Sequence, residues 1–466
     1  MQGKDVLLNA LRGQATDRPA WVPFVGVHGG ALIGKDAAEY LRSADHIVEG
    51  LTRAAERYKP DGLPVVFDLQ MEAEVLGCQL QWAEQSPPSV VSHPLADGPD
   101  PSPLPEFDPD AGRFPLVMEA VDRLKDRVGD EIALYGLVTG PFTLATHLRG
   151  NEIFLDMFDD EEAIGELMAF CAEVGKRAAD AYIDHGCDVI AVVDPMTSQI
   201  SPDHFARFVT PYVNAVFDHV RHRGALSSIF VCGDATRNLE KLCQTHADNV
   251  SIDENIPLEM VRDLARAGGK SFGGNLKLTL ALLMGDADDA KLDAIRCIDV
   301  GEHAGFVLAP GCDLPYATPP ENLEAVAELV HDNYQRQVAR TTITAKAATD
   351  MPNVELPDYA SGPEVYIDVV TLDSASCAPC QYMVGAANEA AKRAGAEVIV
   401  REHKITSREG VAAMMKLGAE HIPTICIDGR VAFSSIIPDG NVLARAIDDR
   451  AEAKRVGDAR SGDAPS

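Results

Sequence analysis

The chain has 466 residues, with 41 Lys plus Arg against 72 Asp plus Glu and a formal net charge of −31. So acidic a surface repels phosphate backbones and anionic lipid, which excludes nucleic acid and membrane as expected partners. No apolar signal segment and no apolar run of membrane-spanning length is present, the length calls for two domains, and ten scattered cysteines fit a reducing, cytoplasmic compartment.

Taken in order, an amphipathic helix with Val6, Leu7 and Leu11 on one face ends before Asp17-Arg18-Pro19. Apolar strand-like runs then alternate with longer helical stretches, at 21–27 (WVPFVGV), 63–69 (LPVVFDL), 132–138 (IALYGLV), 188–194 (DVIAVVD), 227–232 (SSIFVC), 249–253 (NVSID), 270–275 (KSFGGN) and 305–310 (GFVLAP). The intervening periodicity predicts helices over 151–185, 203–223, 257–266 and 320–338. Eight alternating β and α units predict an α/β fold, a closed parallel (β/α)₈ barrel of the TIM type over residues 1–338. From the third strand on the runs are continuously apolar, as buried parallel strands are. The Pro-rich stretch 86–109 reads as an excursion over the surface.

Such barrels carry function at the carboxyl ends of their strands. The residues following the eight runs are His28; Asp68 with Glu72 and Glu74; Thr139 and Thr143; Asp194; Cys232 with Asp234; Asp253 with Glu254; Asn275; and Cys312. Strand alternation turns Asp253 toward the axis and puts Ser228, Phe230 and Cys232 on one inward face. Taken singly, each acid is equally well explained as a loop end or helix N-cap. Two soft ligands at two strand ends, Cys232 in SSIFVCGDA and Cys312 in GFVLAPGCDLP, suggest a thiolate metal site, with zinc the natural metal. Either cysteine alone reads as a small buried hydrophobe.

Beyond the barrel, residues 339–362 read as a polar linker, and a smaller α/β unit follows over 363–450. Cys377-Ala-Pro-Cys380 opens its first helix directly after a strand, the setting in which a helix N-terminus lowers the first thiol's pKa. A zinc knuckle needs a second cysteine pair, which Cys426 alone does not supply. The residues from 451 to 466 lack an apolar pattern and are expected to be disordered.

With these stretches laid out, the barrel resembles the uroporphyrinogen decarboxylase superfamily, and within it the zinc-dependent corrinoid methyltransferases that act on coenzyme M. The resemblance is carried by ALRGQATDRPAWVPF, EAEVLGCQLQW, TGPFTLATHLRGNE, DPMTSQISPDHFARFVTPY, VCGDATRNLEKL, SIDENIPL, FGGNLKL and GFVLAPGCDLPYATPPENL. Residues 363–450 resemble thioredoxin and glutaredoxin, through Cys377-Ala-Pro-Cys380 and through Ile422-Pro423-Thr424, where that family keeps a cis-proline facing its disulfide.

The resemblance implies zinc held by Cys232 and Cys312, a corrinoid carried on a partner protein, and a small-molecule methyl donor or acceptor. Phe230 stands where that branch has its histidine ligand, and Glu254 is the expected replacement. Asp253 is assigned a catalytic role beside the redox pair Cys377 and Cys380, with Pro423 supporting the pair. His28, Asp68, Glu72, Asp194 and Asn275 are assigned to substrate binding. Zinc would activate a thiol by expelling its proton. Asp68 also matches the decarboxylases' pyrrole-binding aspartate, yet the loop VGVHGGALIGK lacks the arginines that a tetrapyrrole's carboxylates need. A decarboxylase-like lyase and a non-catalytic corrinoid-binding redox protein are the competing readings, and oligomerisation is left open.

Overall fold

The computed structural model describes residues 1–302, 304–343, 352–375 and 377–461, with side chains to residue 455. The chain divides into two compact units at residues 345 and 346.

In the first unit eight strands are β1 (Ala20–Trp21), β2 (Gly62–Pro64), β3 (Ala133–Thr139), β4 (Val189–Val193), β5 (Leu226–Val231), β6 (Asn249–Ile252), β7 (Ser271–Leu276) and β8 (Phe306–Pro310). All pair in parallel, in the order β1-β8-β7-β6-β5-β4-β3-β2. Every strand residue except Leu226 is buried, because helices cover the outside and side chains fill the inside. Between β1 and β2 a side chain completes the seam. The Asp61 N–H donates to Trp21 O at 2.8 Å, the Asp61 carboxylate accepts the Trp21 N–H at 2.9 Å, and Arg18 grips both carboxylate oxygens at 2.6 Å. The result is an α/β near-barrel of the TIM kind.

The first two strands are much shorter than their apolar runs. After Trp21 the chain turns at Gly26, whose φ is +45°, into a one-turn helix at His28–Ala31. In β2, Pro64 has no N–H to give the ladder. The helix expected over 151–185 is two, Ile153–Asp159 and Glu161–Asp184, divided at Asp160, which caps the second by accepting the Ala163 N–H at 3.1 Å. Asp332 divides the last barrel helix in the same way, into Pro320–His331 and Asn333–Thr342. Of the expected linker, residues 344–351 lie outside the described residues.

The second unit has strands β9 (Val365–Thr371), β10 (Val398–Lys404), β11 (Thr424–Ile427) and β12 (Arg430–Ser434) in the order β10-β9-β11-β12. β9 is parallel to β10 and antiparallel to β11, and β11 is antiparallel to β12. Alternate residues Val365, Ile367 and Val369 join Met383, Ile425, Leu443 and Ile447 in one core. The final helix, Gly440–Ser461, runs through most of the segment expected to be disordered from 451. The reason is packing and charge: Ala451 is buried, and Lys454 pairs with the buried Asp428 at 3.0 Å while donating to Glu364 O. Residues 462–466 lie outside the described residues. No helix among the described residues is long and apolar enough to cross a membrane.

Candidate active site

The barrel interior is closed, with a cavity of about 20 Å³ among inward residues that include Ser228, Phe230, Asn249 and Ser251, as strand alternation predicts. Above it the rings of Phe24, Phe67 and Phe230 form an aromatic floor, with Phe230 5.2 Å from Phe24 and 6.0 Å from Phe67, centre to centre. On that floor, at the ends of β5 and β8, Cys232 and Cys312 meet with their sulfurs 2.7 Å apart. Cys232 is half-buried and Cys312 is 8% exposed. The hydrogen bond with Cys232, with burial behind it, holds the Cys312 thiol well above its ordinary pKa.

Acidic groups crowd this pair. The Cys312 thiol donates to Asp313 Oδ1 at 3.4 Å, and burial, with the charge of Asp68 adding to it, pushes the Asp313 carboxyl up to about 7. Asp253 faces inward but is committed: its carboxylate accepts the Gly233 N–H at 2.8 Å and the Asn255 N–H at 2.9 Å, and burial pushes its pKa up. Asn275 fixes the same loop by donating to Asp253 O at 3.1 Å and Ile256 O at 2.7 Å. Gly311 lets the β8 loop press on Glu254, since a Cβ there would lie 2.5 Å from the Glu254 nitrogen. Glu254 spends its carboxylate on the Leu278 N–H, and burial beside Asp253 pushes it up to about 8.

The remaining residues assigned to substrate binding are held by the protein itself. His28 bonds Tyr58 Oη at 2.7 Å and Tyr316 O at 3.1 Å, and burial pushes its pKa down to about 4. Glu72 accepts both the N–H (2.9 Å) and hydroxyl (2.6 Å) of Thr139. Asp194 does the same for Thr143, at 2.8 and 2.6 Å, which ties the helix after β3 to the end of β4. Asp68 accepts from Arg113 at 2.6 Å, and Arg113 also bonds Glu74 at 2.8 Å and stacks 4.8 Å over Trp82. Arg113 and Asp313 escaped the sequence reading. Asp313 was signalled by its place directly after Cys312, whereas nothing local marks an arginine 45 residues from its partner as the neutraliser of Asp68.

The donor set does not complete a zinc site. Among the described residues no three His, Cys, Asp or Glu side chains group as metal ligands. A phenyl ring stands where a third donor would come from β5.

In the second unit Cys377 is the N-cap of the helix Ala378–Arg393 and is half-buried, while Cys380 is fully buried and accepts the Leu372 N–H at 3.4 Å. Burial, then the Cys377 thiol, hold the Cys380 thiol well above its ordinary pKa. The turn before them is pinned by Glu402, which accepts the Ser374 N–H and hydroxyl, both at 2.9 Å. The Ile422–Pro423 peptide bond is cis.

Comparison with known proteins places the barrel. The methylcobamide:CoM methyltransferase MtbA of Methanosarcina acetivorans is 28% identical over 332 residues, covering 70% of this chain and 96% of that protein. A uroporphyrinogen decarboxylase of Nostoc punctiforme is 26% identical over 348 residues, covering 68% and 93%. A solved methyltransferase structure from Methanosarcina mazei superposes with a TM-score of 0.66 at 23% identity, covering 72% of this chain and 99% of that one, a likeness of fold. The uroporphyrinogen decarboxylase (URO-D) family model matches residues 2–333, and the chain therefore belongs to that family.

Proposed function

We propose that the barrel moves a methyl group between a corrinoid carried by a partner protein and a small thiol, in the manner named for its methyltransferase relatives, and that the second unit is a thioredoxin-like dithiol module. The observation that carries the first part is the thiol pair beside Asp313 near an aromatic floor, at the barrel end where such folds do chemistry. The bound corrinoid would supply an electrophilic methyl group. The chain's part is to seat the acceptor thiol, exclude water with Phe24, Phe67 and Phe230, and take the thiol's proton. A carboxyl held near 7 is suited to that last task, because general bases work best with a pKa near the operating pH. No step runs through zinc, since the side chains around the two cysteines do not complete its coordination.

The decarboxylase reading is weaker because Asp68 is neutralised by Arg113 rather than presented to pyrrole N–H groups. For the second unit, support comes from one half-buried thiol at a helix N-terminus over a buried one. The test of the main reading is to supply methylcobalamin and coenzyme M to the fully reduced chain and follow thioether formation by mass spectrometry. Turnover that falls at least tenfold in Asp313→Asn supports it; no thioether at stoichiometric protein refutes it.

A further inference from the structure

At the amino ends of the barrel strands, the face opposite the thiol pair, lies an open cleft of about 380 Å³ lined by Asp17, Arg18, Val330, His331, Asn333 and Arg336. It sits where the ring of strands closes. Asp17 and Arg18 come just before β1, and His331 ends the helix Pro320–His331 that returns from β8. His331 Nε2 donates to Lys59 O at 2.8 Å, a few residues ahead of β2.

The charges lining this cleft are not all matched by the protein. Arg18 is spent on Asp61, and Asp17 is met by the Met1 amine at 3.3 Å. Arg336 is different. It is 5% exposed, and its Nη1 and Nη2 donate to Leu329 O at 3.0 Å and Asn333 Oδ1 at 2.8 Å, both uncharged acceptors. No carboxylate among the described residues forms an ion pair with it: Asp299, whose charge reaches it, is bound by Arg340 instead. Burial disfavours the charge on Arg336, and Arg340 adds to this. A buried cation without an ionic partner is costly, and an anion that meets it recovers that cost. The guanidinium has five N–H groups in a planar fork suited to paired oxygens, and two hydrogen bonds do not exhaust it. Asn333, whose Oδ1 is taken by Arg336, has an amide NH₂ left to donate.

We infer that this cleft binds a small oxyanion, a phosphate or carboxylate group, with Arg336 as its anchor. The bound anion gives Arg336 an ionic partner and bridges the segment before β1 to the last two barrel helices, so occupancy stabilises the closed ring by mass action. The site lies at the other end of the strands from Cys232 and Cys312, and the inference does not rest on methyl transfer.

The experiment titrates the full chain with inorganic phosphate and, separately, with succinate, at an ionic strength held constant with sodium chloride. Heat is followed by calorimetry and barrel melting by tryptophan fluorescence. The wild type is expected to bind at least one of the two at millimolar concentration and to melt higher in its presence, and the tighter of the two identifies a phosphoryl or a carboxylate ligand. Arg336→Gln is expected to weaken binding by about tenfold or more, the worth of a charge-assisted hydrogen bond. Arg336→Lys keeps the charge and, lacking the fork, is expected to fall between them, which covers the case of a Gln variant that does not fold. Absence of heat and of any melting shift with both anions in the wild type overturns the inference. So does a shift that chloride alone reproduces, and so does binding by a folded Arg336→Gln as tight as that of the wild type.

Discussion

Phe230 is the residue on which the reading of the barrel mouth turns, and Phe230→His is the sharpest perturbation of it. The ring is 2% exposed and packs on Phe24 and Phe67. Burying such a side chain contributes ~1.5–3 kcal/mol, and each aromatic pair adds ~0.5–1.5 kcal/mol. An imidazole keeps part of the volume but brings two polar nitrogens into an apolar floor, so a net loss of about 3 kcal/mol is expected. For a unit spanning residues 1–345, with ~2.1 cal/mol/K of unfolding entropy per residue, that lowers the melting temperature by roughly 4 °C. Both tryptophans, Trp21 and Trp82, lie in the barrel, so intrinsic fluorescence reports that unit alone. Residue 230 shares a strand face with Cys232, so the substitution also supplies the missing third donor. Zinc at a hundredfold excess over its dissociation constant should return about 2.7 kcal/mol to the variant and nothing to the wild type. Equal zinc stabilisation of both proteins would refute the reasoning, since the wild type would then already hold a complete site. An unchanged melting point without metal would refute the account of the floor.

Three further outcomes follow from the same geometry. Arg113→Leu strands the Asp68 carboxylate, which has no exposed side-chain surface, and should destabilise the barrel by ~3–5 kcal/mol in urea titrations, with Arg113→Lys giving only partial rescue because it lacks the fork that reaches both Asp68 and Glu74. Glu254 keeps its proton in the fold up to a pH of about 8, whereas an unfolded glutamate loses it near ~4.3. The folded state therefore binds more protons across that window, stability falls as pH rises through it, and Glu254→Gln should flatten the dependence seen by thermal denaturation from pH 5 to 8. Ending the chain after residue 450 removes the Lys454 contacts to Asp428 and Glu364, and should cost the second unit ~1.5–3 kcal/mol by near-ultraviolet dichroism of its tyrosines.

What could be read from the sequence was whatever repeats or sits next to its neighbour. Eight apolar runs marked eight strands because burial on both faces leaves an uninterrupted signal, and the alternation along β5 and β6 placed Phe230 and Asp253 inward without any structure. The convergence of Cys232 and Cys312 was legible because strand ends in a parallel barrel share one rim. Side-chain commitments were not legible. That Asp194 serves Thr143, that Asp68 serves Arg113 and that Glu254 serves Leu278 depends on rotamers and loop paths that no local pattern encodes. Hence the acids named from strand ends include several whose geometry serves the scaffold. The final helix was missed for a similar reason, because what holds residues past 450 is a distant aspartate rather than an apolar stripe.

The order of pairing around the barrel bears on how the chain is made. β1 leaves the ribosome first, yet its ladder partner is β8, with Ala20 opposite Val307 and Trp21 opposite Leu308. Its other neighbour, across the Asp61 seam, offers one backbone hydrogen bond and a carboxylate. A contact spanning nearly the whole barrel sequence is among the slowest to form, because the closure entropy must be met before the pairing rewards it. Until residue 308 is synthesised the ladder around the barrel lacks its last strand, and the contacts through Asp61 and Arg18 are available to β1 from sequence-near residues. A clasp formed within the first 61 residues closes a far shorter loop than the β1–β8 ladder does, and so costs less closure entropy.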